Sequence, residues 1–210
     1  MSDKSYWNNF YDTEGKKEQL SNPSQFAVFV AGEMAETDNI IEFGSGNGRD
    51  AFYFAALGKN VHATDASLSA IENNNALAAK NNCNNIFFSE YTIGSKKEFE
   101  VQSTHQASNK SIYSRFFLHS LTDELISEFI ELCSSMLKTN EKLFVEYRTN
   151  KDEKRNKEYL NHYRNYINPE LISSLCKKND FTIDYHVEGL GYAKYKNDDA
   201  YVARTILNKN

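Results

Sequence analysis

The stretch IIEFGSGNGRDAFYFAALGKNVHATDAS, from Ile40 to Ser67, constrains the fold more than any other part of the chain. It contains a short apolar run, three closely spaced glycines, a run with helical spacing, a second apolar run and then Asp65. Glycine lets the backbone turn tightly and lets a ligand approach without obstruction by a Cβ atom. The N-terminus of the following helix presents free N–H groups to a carboxylate or phosphate. Because open α/β sheets bind ligands at the carboxyl ends of their strands, the stretch predicts a ligand-binding turn.

Strands and helices alternate through most of the sequence. It predicts strands at residues 39–43, 60–64, 86–89, 111–117, 142–147, 181–187 and 200–207, and helices at 49–57, 68–80, 123–138 and 169–178. This alternation implies a parallel sheet with helices on both faces. No helix is predicted between the last two strands, so we expect that pair to be antiparallel. Residues 96–109 are polar and weakly periodic and receive no assignment.

Length and composition favour one cytoplasmic domain over residues 1–210, with a helical cap at residues 1–37. The chain has 210 residues and a formal net charge of −5, and without a basic stripe we expect no nucleic-acid partner. Neither a signal peptide nor an apolar segment long enough to span a membrane is predicted. Cys83, Cys133 and Cys176 lack metal-ligand spacing, so reduced thiols and no metal site are expected. The sequence leaves the oligomeric state open.

The glycine pattern differs from the dinucleotide fingerprint G-x-G-x-x-G. Gly44 and Gly46 fit it, but Arg49 occupies the third glycine position and the third glycine comes one residue early, at Gly48. An acid, Glu42, precedes the first glycine by two residues. A nicotinamide oxidoreductase is therefore disfavoured, and a tight turn without a ligand is the remaining structural alternative.

The pattern E-x-G-x-G-x-G from Glu42 to Gly48 resembles motif I of class I S-adenosylmethionine-dependent methyltransferases. The resemblance implies S-adenosyl-L-methionine as cofactor. It also implies a doubly wound, Rossmann-like, seven-stranded mixed sheet in the order 3-2-1-4-5-7-6, with the last strand antiparallel. In that family the first acid helps to hold the methionine end, the glycines pass beneath the adenosyl group, and the acid after the second strand binds the ribose. The residues implied here are Glu42, Gly44, Ser45, Gly46, Gly48 and Asp65, with Ala66 and Ser67 near the adenine.

The segment YWNNFYD at residues 6–12 is similar to an aromatic segment that precedes the fold in many small-molecule methyltransferases. The resemblance implies that Tyr6, Trp7 and Tyr11 close over the cofactor and shield the methyl group from water. The alternative is an amphipathic helix that packs its aromatic residues on the sheet. A second cap at SNPSQFAVF would bring Ser24 and Phe26 near the cofactor.

The segment SIYSRFFLHSL contains the fourth strand and the turn after it. In this family the segment lies beside the transferring methyl group. It lacks the Asn/Asp-Pro-Pro-Tyr type of motif, so DNA and protein glutamine are not supported as substrates. Ser114 is a candidate cofactor contact, and Arg115 and His119 are candidate catalytic residues. His119 could act as a general base toward a hydroxyl, or it could be a structural histidine.

The insertion after the fifth strand, residues 149–168, commonly covers the substrate in this fold. Arg148, His162, Tyr163 and Arg164 are therefore candidate substrate-binding residues, together with Arg115. Because arginine favours bidentate contacts to carboxylate or phosphate groups, they suggest a small anionic acceptor. A solvated charged helix is the alternative. Lower-ranked candidates in the last loop are Tyr192, Lys194 and Tyr195.

Two softer resemblances point to different acceptors. The overall pattern, including YSRFFLHSL and EGLGYAKY, resembles methyltransferases encoded with bacterial surface-polysaccharide genes, which implies an oxygen of a phosphorylated sugar or capsule precursor. GNGRD resembles the subgroup that includes thiopurine and tellurite-resistance methyltransferases, which implies a sulfur, selenium or tellurium acceptor. An S-adenosylmethionine-binding subunit without activity is the alternative from another functional class.

Overall fold

The computed structural model describes residues 4–13, 16, 19–34, 39–96, 98–100, 109–155, 163–195 and 197–210. The strands in this part of the chain are β1 (Asn39–Phe43), β2 (Asn60–Asp65), β3 (Ile86–Glu90), β4 (Lys110–Arg115), β5 (Lys142–Arg148), β6 (Phe181–Gly189), β7 (Lys194–Tyr195), β8 (Asp198–Asp199) and β9 (Val202–Lys209). The α-helices are α1 (Lys4–Asp12), α2 (Gln25–Glu33), α3 (Arg49–Ala56), α4 (Leu68–Lys80), α5 (Asp123–Met136) and α6 (Pro169–Lys178). Short 3₁₀ helices occupy Leu118–Ser120 and Asn150–Asp152.

Seven of these strands form one sheet in the order β3-β2-β1-β4-β5-β9-β6. Strands β1 and β2 pair in parallel, as do β2 and β3. Strand β9 is antiparallel to both β5 and β6. With β9 as the seventh long strand, this is the predicted order 3-2-1-4-5-7-6, and both the fold class and the antiparallel last strand are confirmed.

The described chain forms two compact units, residues 4–113 and residues 114–210. In the first unit, all five residues of β1 are buried, as expected for a strand covered on both faces. Aromatic rings fill the core: the Tyr113 ring lies 5.2 Å from that of Phe26 and 5.0 Å from that of Phe54. The rings of Phe52 and Phe88 lie 5.3 Å apart.

In the second unit, α5 and α6 provide apolar faces, and β5 and β9 provide nearly continuous buried strands. Their fully or nearly fully buried side chains are Ile126, Phe129, Ile130, Cys133, Leu143, Phe144, Val145, Ile172, Cys176, Val202 and Leu207. The cysteines in this set therefore serve as small apolar core residues. Within the described residues, no helix is both long and apolar enough to cross a membrane.

Local sequence signals fix the starts of the helices. Ser67 Oγ accepts a hydrogen bond of 3.2 Å from the Ala70 N–H at the start of α4. Thr122 Oγ1 accepts one of 3.4 Å from the Leu125 N–H at the start of α5. Serine and threonine are favoured at this position, and α6 begins at Pro169 as predicted, because proline is tolerated in the first helical turn.

Two predicted elements end two residues later than the observed ones. The predicted strand 111–117 ends at Arg115 because Phe116 adopts a φ of 52°, which breaks the extended conformation. The predicted helix 123–138 ends at Met136 because Leu137 is extended, with φ −93° and ψ 139°. The sequence also gave no sign of the small antiparallel β7–β8 hairpin in the last loop.

His62 is a buried titratable group in the central part of the first unit. Its Nε2 lies 2.7 Å from Ser89 Oγ, and its ring stacks 5.3 Å from the ring of Phe99 and lies 5.2 Å from that of Phe87. Burial lowers the pKa of His62 to about 4. The folded protein therefore holds His62 neutral at pH values where the unfolded chain protonates it.

We predict that His62 makes the free energy of unfolding depend on pH. Between its unfolded pKa, about 6.5, and its folded pKa, the unfolded chain binds more protons, so stability falls as the pH falls through this window. Relative to a His62→Gln variant, the wild-type protein should lose about 2 kcal/mol more unfolding free energy between pH 7 and pH 5. Urea unfolding at both pH values measures this difference, and equal losses in the two proteins would contradict it.

Candidate active site

The glycine turn after β1 is held by backbone hydrogen bonds from its first two residues. The N–H groups of Gly44 and Ser45 donate to the Thr64 carbonyl, at 2.8 and 2.9 Å. Gly46 and Gly48 have φ values of 53° and 71°, which is the left-handed region that side-chain-bearing residues avoid. The turn therefore requires glycine for its backbone conformation, in addition to any need for close approach by a ligand.

Asp65, the last residue of β2, faces this turn. Its Oδ2 accepts a hydrogen bond of 2.9 Å from the Gly46 N–H, and its Oδ1 accepts one of 2.9 Å from the Ser67 N–H. Burial raises the pKa of the Asp65 carboxyl, and the N–H groups of Ser67, Gly46 and Ala66 oppose that change. Since an ionised carboxylate offers about four acceptor positions, acceptor capacity remains for a ribose hydroxyl.

Tyr11 of α1 lies directly against the turn. A Cβ atom added to Gly46 would overlap the Tyr11 hydroxyl. Burial raises the pKa of the Tyr11 phenol, the negative charge of Asp65 raises it further, and the positive charge of Arg49 opposes the rise. The structure thus brings together Tyr11, Gly46 and Asp65, three of the predicted cofactor residues.

The other predicted cofactor residues lie at several places. Glu42 is buried in β1, and its carbonyl accepts a hydrogen bond of 3.2 Å from Thr64 Oγ1. The buried Ser45 hydroxyl has no hydrogen-bond partner among the described residues. Tyr6 and Trp7 form an edge-to-face ring pair on α1, with centroids 5.0 Å apart. Ser114 is buried in β4, at the start of the second unit.

A buried carboxylate that the sequence analysis missed lies at the start of the helix that follows the glycine turn. Asp50 follows Arg49 at the start of α3 and is 4% exposed. It accepts hydrogen bonds from the Ser24 N–H (2.7 Å), the Ser24 hydroxyl (2.8 Å) and the Tyr113 hydroxyl (2.8 Å). Ser24 also caps α2 through the Ala27 N–H, at 3.0 Å. Ser24 therefore joins α2 to the start of α3, and its predicted cofactor contact stays a prediction.

In the second unit, a buried carboxylate organises two arginines. Glu146 on β5 is fully buried and accepts hydrogen bonds from Arg115 Nε at 2.8 Å and from Arg204 Nε at 2.7 Å. Arg204 Nη2 also donates to the Tyr192 carbonyl, at 2.7 Å, and its guanidinium lies 4.9 Å from the Tyr192 ring. The predicted Arg115 is therefore part of an ion-pair network, with 15% of its side chain exposed.

Arg148, another predicted acceptor contact, lies between two acids. Its Nη1 donates to Asp152 and its Nη2 to Asp198, each at 2.6 Å. The hydrogen bonds and charges of these acids raise the pKa of Arg148 although burial acts in the opposite direction. This arrangement commits Arg148 to holding the β8 segment, and it leaves the guanidinium poorly placed to bind a substrate anion.

Phe116 connects the remaining candidates of the second unit. Its ring lies 4.3 Å from the Arg115 guanidinium and 5.3 Å from that of Arg148. The His119 ring meets it edge to face, with centroids 5.5 Å apart. His119 is buried, and its carbonyl accepts a hydrogen bond of 2.7 Å from the Asn165 N–H. Arg115, His119 and Arg148 thus surround one ring whose backbone adopts an unfavourable positive φ.

The insertion is only partly described. Tyr163 is 43% exposed, and burial together with the charges of Asp123 and Glu124 raises the pKa of its phenol. Its surroundings are therefore acidic and do not suit an anion. Arg164 is partly buried, and the predicted His162 lies outside the described residues. No group of histidine, cysteine, aspartate or glutamate side chains that could hold a metal ion occurs among the residues the structure describes.

The sequence matches the family described as tellurite resistance protein TehB over residues 3–155. The chain belongs to the TehB family. No curated protein matches it at a significant level.

Solved structures show that this TehB-family chain has a methyltransferase fold. TehB from Haemophilus influenzae is 18% identical, with a TM-score of 0.67 over 99% of this chain and 67% of that chain. A SAM-dependent methyltransferase from Methanosarcina mazei is 16% identical, with a TM-score of 0.69 over 86% of this chain and 96% of that one. Magnesium protoporphyrin IX methyltransferase from Synechocystis, solved with bound SAH, is 14% identical, with a TM-score of 0.67 over 99% of this chain and 100% of that one.

The predicted enzyme class is thereby confirmed as an S-adenosylmethionine-dependent methyltransferase, and the predicted cofactor is S-adenosylmethionine. The residues around the glycine turn fit this cofactor. Asp65 retains acceptor capacity suited to a ribose, and the buried Ser45 hydroxyl still lacks a partner among the described residues. We therefore expect these two residues and the Gly46 backbone to contact the adenosyl and methionine parts.

We predict that Asp65→Ala reduces the affinity for S-adenosylhomocysteine about a hundredfold, because a charge-assisted ribose hydrogen bond is lost. Calorimetric titration measures the affinity, and a urea unfolding curve shows whether the fold is retained. Glu72→Ala, which removes an exposed acid on α4, is the control and should bind normally. Unchanged affinity in a folded Asp65→Ala protein would place the ribose elsewhere.

Proposed function

We propose that this TehB-family chain transfers a methyl group to the hydroxyl or phosphoryl oxygen of a small anionic acceptor, such as a phosphorylated sugar or a capsule precursor. The observation that carries the proposal is the arrangement around Glu146. Two arginines, Arg115 and Arg204, donate to the two oxygens of this buried carboxylate, and positive charge is thereby brought together at one place in the second unit. Arg115 is the more exposed arginine of the two, with 15% against 7% of its side chain accessible.

In the proposal, Arg115 contacts the acceptor anion and Arg148 does not. Arg148 already donates to two carboxylates, Asp152 and Asp198, and these carboxylates would repel an approaching anion. Arginine can contact a phosphate through several N–H donors. In Arg115, the Nε atom donates to Glu146. Arg164 remains a proposed acceptor contact because it lies in the insertion and is partly buried.

S-adenosylmethionine, when bound, supplies a methyl group already activated by the sulfonium charge. The protein's residues must bind, orient and exclude water, and orientation of this type supplies about 7–11 kcal/mol. In the proposal, Asp65 holds the ribose, Arg115 holds the acceptor anion, and His119 accepts the proton of an acceptor hydroxyl. A phosphoryl oxygen is already anionic and would need no base.

A metalloid acceptor is the second candidate. The observation in its favour is the family match over residues 3–155, since that family is named for tellurite resistance. An acceptor of this type would be a small oxyanion or its reduced form, and it would need neither a proton acceptor nor a large binding surface.

The two candidates are separated by measuring S-adenosylhomocysteine release with a panel of acceptors. Sugar phosphates, nucleotide sugars, tellurite, selenite and a small thiol should be compared at equal concentration. Turnover with a phosphorylated sugar supports the first proposal, and turnover with tellurite or selenite alone replaces it with the second. Cofactor binding without turnover on any of them would contradict both acceptor proposals and favour a binding subunit.

We predict that Arg115→Gln raises the KM for an anionic acceptor about tenfold, because one charge-assisted contact is lost. The affinity for S-adenosylhomocysteine should not change, since the variant leaves the residues of the glycine turn intact. Arg155→Gln removes an arginine of the same unit that donates to the Asp199 carbonyl and serves as the control. An unchanged KM in a folded Arg115→Gln protein would exclude Arg115 as the anion contact.

For His119→Ala we expect kcat to fall about a hundredfold with a hydroxyl acceptor, the usual range for loss of a general base. The affinity for S-adenosylhomocysteine should change little. Initial rates and calorimetric titration test the two statements. An unchanged rate in a folded variant would mean that His119 is a structural residue.

A further inference from the structure

Three consecutive asparagines on α4 connect this helix to three different elements. Asn73 Nδ2 donates to the Tyr11 carbonyl at the end of α1, at 2.9 Å. Asn74 Nδ2 donates to the Gly46 carbonyl in the glycine turn, at 2.8 Å. Asn75 Nδ2 donates to the Phe88 carbonyl in β3, at 3.3 Å. Each of the three asparagines therefore binds a different backbone carbonyl, which the asparagine-rich composition alone would not suggest.

Asn74 and Asp65 hold the two peptide units that flank the Gly46 Cα atom. The Gly46 N–H donates to Asp65 and the Gly46 carbonyl accepts from Asn74, so both polar groups of this glycine are held by side chains. Asn74 is 3% exposed. It also packs against Gly48, where an added Cβ atom would lie 3.0 Å from the amide carbon of Asn74. Loss of the amide would leave the Gly46 carbonyl without its side-chain donor.

Asn73 holds the helix that covers the turn. The aromatic side chains of α1 are half-buried and none of its residues is fully buried, so hydrogen bonds from other elements add to ring packing in placing this helix. The backbone contact from Asn73 and the ion pair of Lys4 with Glu90 attach α1 to the rest of the unit. Through this attachment the Tyr11 phenol lies against Gly46.

We infer that Asn73 and Asn74 are positioning residues that couple the placement of α1 to the geometry of the glycine turn. Helix α4 donates hydrogen bonds both to α1 and to the glycine turn. A displacement of α1 therefore moves the Tyr11 side chain that lies against Gly46, and a distortion of the turn changes the surface that Tyr11 contacts. An adenosyl cofactor bound at the turn would have to accommodate Tyr11. Its binding and the placement of α1 are then thermodynamically linked, and the linkage acts in both directions.

Trp7 provides a direct reporter of α1. It is the only tryptophan in the chain, and its ring stacks on that of Tyr11 with centroids 6.1 Å apart. Acrylamide quenching of its fluorescence measures the placement of α1 without any turnover. Calorimetric titration with S-adenosylhomocysteine measures the state of the turn, and urea unfolding measures global stability.

In wild-type protein, S-adenosylhomocysteine should alter Trp7 quenching. Asn74→Ala should weaken its binding about tenfold, the effect of losing one buried hydrogen bond, and should increase quenching of Trp7 without ligand. Asn73→Ala should increase quenching and weaken binding about threefold, because only the attachment of α1 is lost. The matched control, Asn75→Ala, should leave both readouts at wild-type values.

Stability provides the second control. Replacing asparagine by alanine inside a helix raises helix propensity, so weaker binding in a protein of unchanged unfolding midpoint cannot come from a weaker α4. If Asn74→Ala weakens binding while Trp7 quenching stays at the wild-type value, the coupling is refuted. Wild-type affinity for S-adenosylhomocysteine in both Asn73→Ala and Asn74→Ala refutes the positioning role. If Asn75→Ala changes binding and Trp7 quenching as much as the other two variants do, the role does not belong specifically to Asn73 and Asn74.

Discussion

The hydrogen bond from the Gly46 N–H to the Asp65 carboxylate is the contact on which the first unit's site depends. It joins the turn after β1 to the end of β2, and the Asn74 amide donates to the carbonyl of the same residue. The peptide units on both sides of Gly46, whose φ is positive, are therefore each held by a side chain. The carboxylate that would bind the ribose is thereby oriented by the loop that lies next to it.

A different constraint shapes the second unit. Glu146 is fully buried, and a buried carboxylate is strongly destabilising unless cations and hydrogen bonds compensate it. Arg115 and Arg204 supply that compensation. Arg115 and Arg148, which the sequence analysis assigned to substrate recognition, therefore both pair with buried or nearly buried acids in the folded chain. Of these two arginines, the proposal keeps only Arg115 as an anion contact, because Arg148 lies between two carboxylates.

Short-range features of the fold were accessible from sequence because their causes are local. Ser67 and Thr122 cap helices through N–H groups three residues away, and the apolar run of β1 is followed at once by glycine. The glycine turn and Asp65 were found for the same reason, together with the spacing that resembles motif I. The final antiparallel pair followed from the missing helix between its strands.

Features that depend on distant partners were not accessible. In the sequence, Asp50 resembles any acidic residue at the start of a helix. Only the folded chain places the Tyr113 hydroxyl within hydrogen-bond distance of it. Asn74 reads as one of many asparagines until α4 lies against Gly46. The left-handed conformation of Phe116 cannot be inferred from an apolar run that continues smoothly past Arg115. In each case the missing information was a contact between segments far apart in sequence.

The limits of the family match bear on the acceptor. The match ends at residue 155, and it includes the glycine turn, Asp65, Arg115 and His119. Glu146 and Asp152, which pair with Arg115 and Arg148, also lie within the match, whereas Arg204 and Asp198 lie beyond it. In this chain, therefore, the groups around the proposed acceptor contact come partly from the C-terminal segment that the family match does not cover. For that reason the tellurite in the family's name does not by itself identify the acceptor, and the proposal uses the pairing of Glu146 with two arginines instead.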